Sequence, residues 1–386
     1  MSTITIRLDP TVAGPIEETL SRREGGRYTI KVSLHGGKFT AEGVDNCFVN
    51  NPDFKGQVDI GQKTRFMAIF LAGREPEKIK GQRSISIKDG DKVKGFFNLE
   101  EAKTFSAENP TVPVFVLNQD NNFSAINEFI LGGGDCVLVR LSDQNDFIVK
   151  ETVNGKIFSN HGVTDPASIN NRRVLLAEKD KEILKVLKKY KERVTDIVVS
   201  FISSPDHVEQ LYKTLVEIYG EDLPAITYKI ETLEAVNRLD EILDMSKGLG
   251  LSPEIVIGCG DLESQVTESL VIDGFGKNPP KDAIRKRLEE KIEEIVSKLS
   301  KRNFNHINIA WGLGEDDDTT SKLRTILRLV YEYGVNMEYW VTKATVTASS
   351  ALEVTKVLEN LYEQKHVVIQ ELLIELTSGI VRDNLD

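Results

Sequence analysis

After Pro166 the chain settles into one rhythm and keeps it. Short apolar runs alternate with longer amphipathic stretches. The runs are "TDIVVSFI", "AITYKI", "PEIVIGCGD", "HINIAWG" and "NMEYWVTKAT". They are rich in β-branched residues and short enough to be buried strands. The stretches "EKDKEILKVLKKYKERV", "SPDHVEQLYKTLVEIYG", "LEAVNRLDEILDMSKGL", "PPKDAIRKRLEEKIEEIVSKLSKR" and "TTSKLRTILRLVYEYG" carry helical periodicity. Two of them start on proline, the residue a first helical turn tolerates best. A last stretch, "SALEVTKVLENLYEQKHVVIQELLIEL", is expected to close the chain as a helix that covers the barrel or mediates assembly. Strands and helices alternating through short connections imply parallel strands joined by right-handed crossovers.

Upstream the rhythm differs. Residues 1–26 are polar with isolated apolar positions and read as a loosely held arm or a short helix. From Arg27 to Ala72, "YTIKVSL" and "RFMAIFLAG" are strand-like. The loop-like stretch between them, rich in Asn, Asp and Gly, has little room for a full helix. Residues 73–165 read as a small all-β module: "RSISIKDGDKVKGFF" has the Asp-Gly turn of a hairpin, and "VPVFVL", "CVLVRL" and "DFIVKETV" follow. Two or three strands before the module and five after it give a count near eight. The expected fold is therefore α/β: a (β/α)8 TIM-type barrel from residues 1–72 and 166–386, interrupted by an inserted all-β lid domain at 73–165. A doubly wound sheet is the rival, and it lacks a GxGxxG turn.

Composition narrows the function classes. The net charge of −11 argues against a broad nucleic-acid-binding surface. No apolar run reaches membrane length, and "MSTITIRLDPTVAGPIEETL" has no signal-like apolar segment. Cys47, Cys136 and Cys259 lie far apart, which fits a reducing compartment. A cytoplasmic protein is expected. The five histidines show no metal-ligand spacing.

In a barrel, chemistry sits at the C-terminal strand ends. Lys229 and Glu231, two residues apart in "KIE", share one side of an extended chain, and Asp261 ends the next strand. A solvated pair at a strand end is the ordinary reading of Lys229 and Glu231. Two acids and a lysine converging on one mouth favour a site.

These residues resemble those of the pyruvate kinase family. "LLAEKDKEILKV" resembles its E-K-D stretch, and "VTDIVVSFISSPDHVEQL" its fourth strand with a Ser-Phe pair at Ser200 and Phe201. "KIETLEAVNRLDEIL" is similar to its K-I-E-N signature and "GCGDLESQ" to R-G-D-L-G. "VNGKIFSNHGVTDP" resembles the stretch leaving the lid, and "AIFLAGREPEKIKG" more weakly the L-D-T-K-G-P-E-I-R-T-G that leads into it. The resemblance is good over about residues 150–263 and fair back to residue 66. It implies a barrel of the phosphoenolpyruvate/pyruvate-binding type in a divergent member without the family's C-terminal regulatory domain.

Carried over by position, the resemblance implies that Lys229 serves phosphoryl transfer to the enolate of pyruvate. Glu231 and Asp261 are then the ligands of Mg²⁺ or Mn²⁺, and Ser200, Lys229 and Gly260 the substrate contacts. The chemistry is coherent: two hard carboxylates and a substrate's carboxylate and keto oxygens suit such a cation. The cation would stabilise a developing enolate oxygen, and the lysine a moving phosphoryl group. The ligand expected is a 2-oxo acid or phospho-enol compound, with a nucleotide as a further candidate and a homo-oligomer as a candidate assembly.

Departures point the other way. The arginine before G-D-L is Cys259, and the threonine of the seventh strand is Trp311. The aspartate of L-D-T-K-G aligns with Ala72, its lysine with Arg74, and the arginine of E-I-R with Lys78 or Ile79. The second-strand A-R-L-N-F-S-H-G has no counterpart between Gly37 and Arg65. Loss of the potassium site is implied. Two functions follow: an enzyme working by phosphoryl transfer or metal-assisted enolate chemistry such as C–C lyase or decarboxylase action, or a non-catalytic binding or assembly subunit. "EDDDTT" (Glu315–Thr320) reads as an acidic helix start, "LGGGD" (Leu131–Asp135) as a turn, and Cys259 as a small filler.

Overall fold

The computed structural model describes residues 2–8, 28–34, 41–50, 52, 55–61, 66–70, 77–79, 82–96, 99–117, 128–131, 136–142, 146–152, 155–158, 163–164, 175–176, 178–275, 279–304, 306–311 and 319–341. Two compact units emerge. One comprises residues 1–62, 178–270 and 274–386; the other comprises 63–177 and 271–273.

The first unit opens with β1 (Ser2–Leu8) and β2 (Tyr28–Leu34), helix α1 (Ala41–Asn50) and β3 (Gly56–Ile60). The second unit then intervenes. Its strands are β4 (Phe66–Phe70), β5 (Glu77–Ile79), β6 (Gln82–Ser86), β7 (Lys92–Phe96), β8 (Val114–Leu117), β9 (Glu128–Leu131), β10 (Cys136–Ser142), β11 (Asp146–Thr152), β12 (Lys156–Phe158) and β13 (Val163–Thr164). Helix α2 (Leu99–Glu108) joins β7 to β8. The first unit resumes with α3 (Glu178–Lys189), β14 (Val194–Val199), α4 (Pro205–Tyr219), β15 (Ile226–Ile230), α5 (Leu233–Asn237), α6 (Leu239–Gly248), β16 (Glu254–Gly258), α7 (Cys259–Leu270), α8 (Lys281–Lys301), β17 (His306–Ala310), α9 (Thr319–Tyr333) and β18 (Asn336–Val341).

Eight parallel strands form the ring β1-β18-β17-β16-β15-β14-β3-β2, with β1 paired to both β2 and β18. This is an α/β fold of TIM type. Strands β15 to β17 are buried on both faces, which is why their sequences read as continuous apolar runs. Helix α4 shows how sequence sets an element's limits. Ser204 caps it by accepting the His207 N–H, Pro205 opens it, and Gly220 (φ 72°) ends it with its N–H on the Val216 carbonyl. Val208, Leu211, Leu215 and Ile218 form its buried stripe.

Register decides which side chains share the barrel interior. Asp59 pairs with Val198, Val198 with Thr227, Lys229 with Val256, and Val256 with Asn308. Partners in parallel strands point to one side, so these residues and their i±2 neighbours line the axis. They stack in layers. Val198, Val256 and Ala310 pack together in the middle. Toward the N-terminal strand ends lies a polar floor: Asp196 accepts from the Thr227 hydroxyl at 2.6 Å and from Gln57 Nε2 at 2.9 Å. Toward the C-terminal ends lie Asp59, Ser200, Lys229 and Glu231, all buried.

The second unit holds a seven-stranded sheet, β13-β9-β10-β11-β7-β8-β4, and a three-stranded sheet, β12-β6-β5. Ala102 of α2 packs on Val114 and Val116, flanked by Phe96 and Phe105.

Several expectations need correction. Residues 1–26 are not only an arm, because Ser2–Leu8 is a barrel strand. The stretch read as loop contains α1 and β3. "RFMAIFLAG" supplies β4, which pairs antiparallel with β8 in the second unit, so that unit begins at residue 63 rather than 73 and runs to 177 rather than 165. The unit is not all β, since α2 carries a parallel crossover from β7 to β8. The Asp89–Gly90 turn forms (Gly90 φ 88°), but no hairpin follows: β6 joins one sheet and β7 the other. The single helix read after "KIE" breaks at Arg238 into α5 and α6. The closing helix, Gly132–Asp135 and Glu315–Asp318 lie outside the described residues. Among the described residues no helix is long and apolar enough to cross a membrane.

The floor makes a pH prediction. Burial is the largest influence on Asp196 and raises its pKa, against the lowering effect of its hydrogen bonds to Thr227 and Gln57. A carboxyl whose folded pKa lies above its unfolded one favours the fold at low pH and loses that contribution as pH rises through the folded value. Asp196→Asn keeps the shape and an acceptor oxygen. It should therefore stabilise the protein at neutral pH, with the gain over wild type shrinking toward the ordinary aspartate value of 3.8. Urea unfolding at pH 4 and pH 7.5 checks this.

Candidate functional site

Strand β15 ends at Ile230 and α5 starts at Leu233, so Glu231 sits in a two-residue junction. Thr232 fixes that junction by accepting the Ala235 N–H at 3.0 Å as the helix cap. Lys229 and Glu231 both face the axis. Lys229 is 5% exposed, Glu231 1% and Asp59 not at all. Their charged ends meet: Lys229 Nζ contacts Glu231 Oε1, lies 3.9 Å from Asp59 Oδ2, and donates to Ser200 Oγ at 3.4 Å. The Ser200 hydroxyl in turn donates to Asp59 Oδ1 at 2.9 Å.

Backbone completes the cluster. The Phe201 N–H donates to Glu231 Oε2 at 3.2 Å, from a residue held at φ 60°. That left-handed conformation costs a side-chain-bearing residue about 1–2 kcal/mol. The strain sits where the N–H has to turn inward to the carboxylate. One ammonium and two carboxylates thus meet out of contact with bulk water.

Asp261 stands differently. Helix α7 begins at Cys259 directly after β16, which puts Asp261 in its first turn, half-buried, three residues beyond Gly258. Gly260 fronts open space, with nothing within 4 Å of a Cβ added there. The structure thus brings Lys229, Glu231 and Ser200 into direct contact and sets Asp261 and Gly260 on the neighbouring strand-to-helix junction. Among the described residues no three His, Cys, Asp or Glu side chains gather as a metal cluster. An ion here would need substrate or water oxygens besides Glu231 and Asp261. Cys259 is fully buried, and burial, ahead of the nearby Glu263, pushes its thiol well above its usual range. A thiol held neutral in this way is a poor nucleophile, and it carries no charge of the kind a guanidinium would bring. Trp311 directly follows β17 and is buried as well.

Asp59 is the residue sequence reasoning missed. The stretch Gly56–Ile60 is the third barrel strand and the last before the second unit. Asp59 stands near the C-terminal end of that strand, while Ala72 and Arg74 lie outside the described residues. The signal was present in "QVDI", two apolar residues alternating with two polar ones.

A buried lysine–carboxylate cluster lies at the C-terminal end of this TIM-type barrel, and comparison with known proteins shows to which family the barrel belongs. Residues 59–272, more than half of the chain, match the family described as pyruvate kinase, barrel domain, and the match begins at Asp59. The chain belongs to the pyruvate kinase family. Among curated proteins it is similar to the pyruvate kinase of Candida albicans, 30% identical over 129 residues, which is 33% of this chain and 23% of that protein. The aligned part thus spans about a quarter of that relative's length. Among solved structures it is similar in fold to pyruvate kinase from Pyrobaculum aerophilum, with a TM-score of 0.53 and 16% identity over 95% of this chain and 73% of the other.

The cluster predicts its own energetics. Lys229→Met would leave Asp59 and Glu231 as buried carboxylates without their ammonium, which should cost about 3–5 kcal/mol. Adding Glu231→Gln should restore a good part of it. Denaturant unfolding of the single and double variants measures both; an unchanged Lys229→Met midpoint would mean the ammonium does not hold the cluster.

Proposed function

We propose that this chain acts as a metal-dependent enzyme of pyruvate kinase type. It would bind Mg²⁺ or Mn²⁺ with pyruvate, phosphoenolpyruvate or a related 2-oxo acid at the C-terminal end of the barrel. The observation that supports this most is the buried Lys229, wedged between Glu231 and Asp59 where the strands end. A desolvated ammonium paired this closely is costly to build, and its position is where barrels do chemistry.

The donor set fits a hard divalent ion. Glu231 and Asp261 would hold it, both being carboxylates on adjacent strand-to-helix junctions. When bound, the ion supplies Lewis-acid stabilisation of an enolate oxygen. The protein's own groups do the rest. Lys229 offers an ammonium to a phosphoryl or carboxylate oxygen. Ser200 and Asp59 fix that ammonium through the chain Lys229–Ser200–Asp59. Gly260 leaves room for substrate to approach the backbone. The inserted unit takes the part of a lid in the same proposal.

Cys259 and Trp311 favour a second reading. Both are buried where the family pattern expects an arginine and a threonine, so a non-catalytic binding subunit is the alternative. Calorimetric titration with Mn²⁺ and oxalate, an enolate mimic, separates the two. The enzyme reading expects binding by wild type, loss of at least tenfold in Mn²⁺ affinity in Glu231→Gln, and nearly unchanged Mn²⁺ affinity in Lys229→Ala with phosphoryl transfer abolished. Equal binding by wild type and Glu231→Gln, or none by either, would leave the binding-subunit reading.

A further inference from the structure

The seat under Glu231 is made by the absence of a side chain. Gly258 ends β16, next to β15 in the sheet, and faces the barrel axis. A Cβ built on Gly258 would lie 2.7 Å from Glu231 Oε1 and 2.9 Å from its Cδ, and nearer still to its Cγ. Real Cβ atoms do not approach so closely, and the obstruction is the buried middle of the glutamate, not a mobile tip. The φ of Gly258 is not among the positive ones, so its backbone does not demand glycine. Space does.

From this geometry we infer that Gly258 is the positioning residue for Glu231: its bare Cα lets the side chain cross from the end of β15 over the end of β16, toward the junction that carries Asp261. The crossing also puts Oε1 on Lys229 and Oε2 on the Phe201 N–H. A methyl at 258 would push the carboxylate off both partners. It would also carry the carboxylate away from the strand end where it is to share an ion with Asp261. The steric part stands on the fold alone; the consequence for metal rests on the metal-site reading of the preceding subsection.

The test is a set of variants measured two ways. Without metal, Gly258→Ala should lower the melting temperature by about 2–6 °C in wild type, as overpacking of a filled site does. The drop should persist in a Glu231→Gln background, which keeps the bulk, and fall below about 1 °C in Glu231→Ala, which removes it. Should Gly258→Ala fail to fold by itself, Gly258→Ala/Glu231→Ala should still fold. An equal drop in all three backgrounds, or failure of that double variant beside a folded Glu231→Ala, overturns the inference. With Mn²⁺, Gly258→Ala should weaken binding at least tenfold. If wild type binds no Mn²⁺ while the melting pattern holds, the metal reading fails and the seat stands. If Gly258→Ala binds as wild type does while Glu231→Ala does not, the positioning role is overturned.

Discussion

The contact between Lys229 and the buried carboxylates of Glu231 and Asp59 is the constraint around which the barrel's C-terminal end is built. Three charges removed from water persist only when every one is met by partners of good geometry. The surroundings supply them. Ser200 bridges the lysine to Asp59, and Phe201 adopts a strained backbone to offer its N–H. Gly258 gives up a side chain so that the glutamate fits. Those residues come from four strand ends that approach one another only because the parallel ring sets their register.

The same register divides the interior. A middle layer of Val198, Val256 and Ala310 separates the charged mouth from the polar floor. The floor is neutral or singly charged, depending on Asp196, and is bonded through Gln57 and Thr227. Its job is structural, in line with the general division of TIM barrels into a stable N-terminal face and a reactive C-terminal one. Short strand-to-helix junctions complete the design. With two residues after β15 and none after β16, Glu231 and Asp261 have little freedom to leave their strand ends.

The second half of the barrel was legible because its strands are buried on both faces and its helices carry caps and stripes. The first half was not, for a reason visible in β3. Its inward positions are Gln57 and Asp59, committed to the floor and the mouth, so only Val58 and Ile60 remain as apolar signal. Lys229 and Glu231 could be read because they stand together in one motif. Asp59 could not, since its hydrogen-bond partner Ser200 lies 141 residues away and only closure of the ring brings them together. In the inserted unit the Asp89–Gly90 turn was read correctly as a turn, but which strands pair across it is decided by tertiary contacts: the Gly90 N–H goes to Val149 and the Ile87 N–H to Gly155. Local turn chemistry carries no information about that choice.

The most direct test of a working cation site at this mouth is a crystal structure of the protein grown with Mn²⁺ and oxalate, read by anomalous scattering. A Mn²⁺ peak within roughly 2.0–2.6 Å of both Glu231 and Asp261, with oxalate oxygens completing its shell and the Lys229 ammonium directed at the oxalate, is the expected result. Full-occupancy oxalate or Mn²⁺ bound elsewhere, with Glu231 still locked on Lys229 and no ion on Asp261, would contradict it.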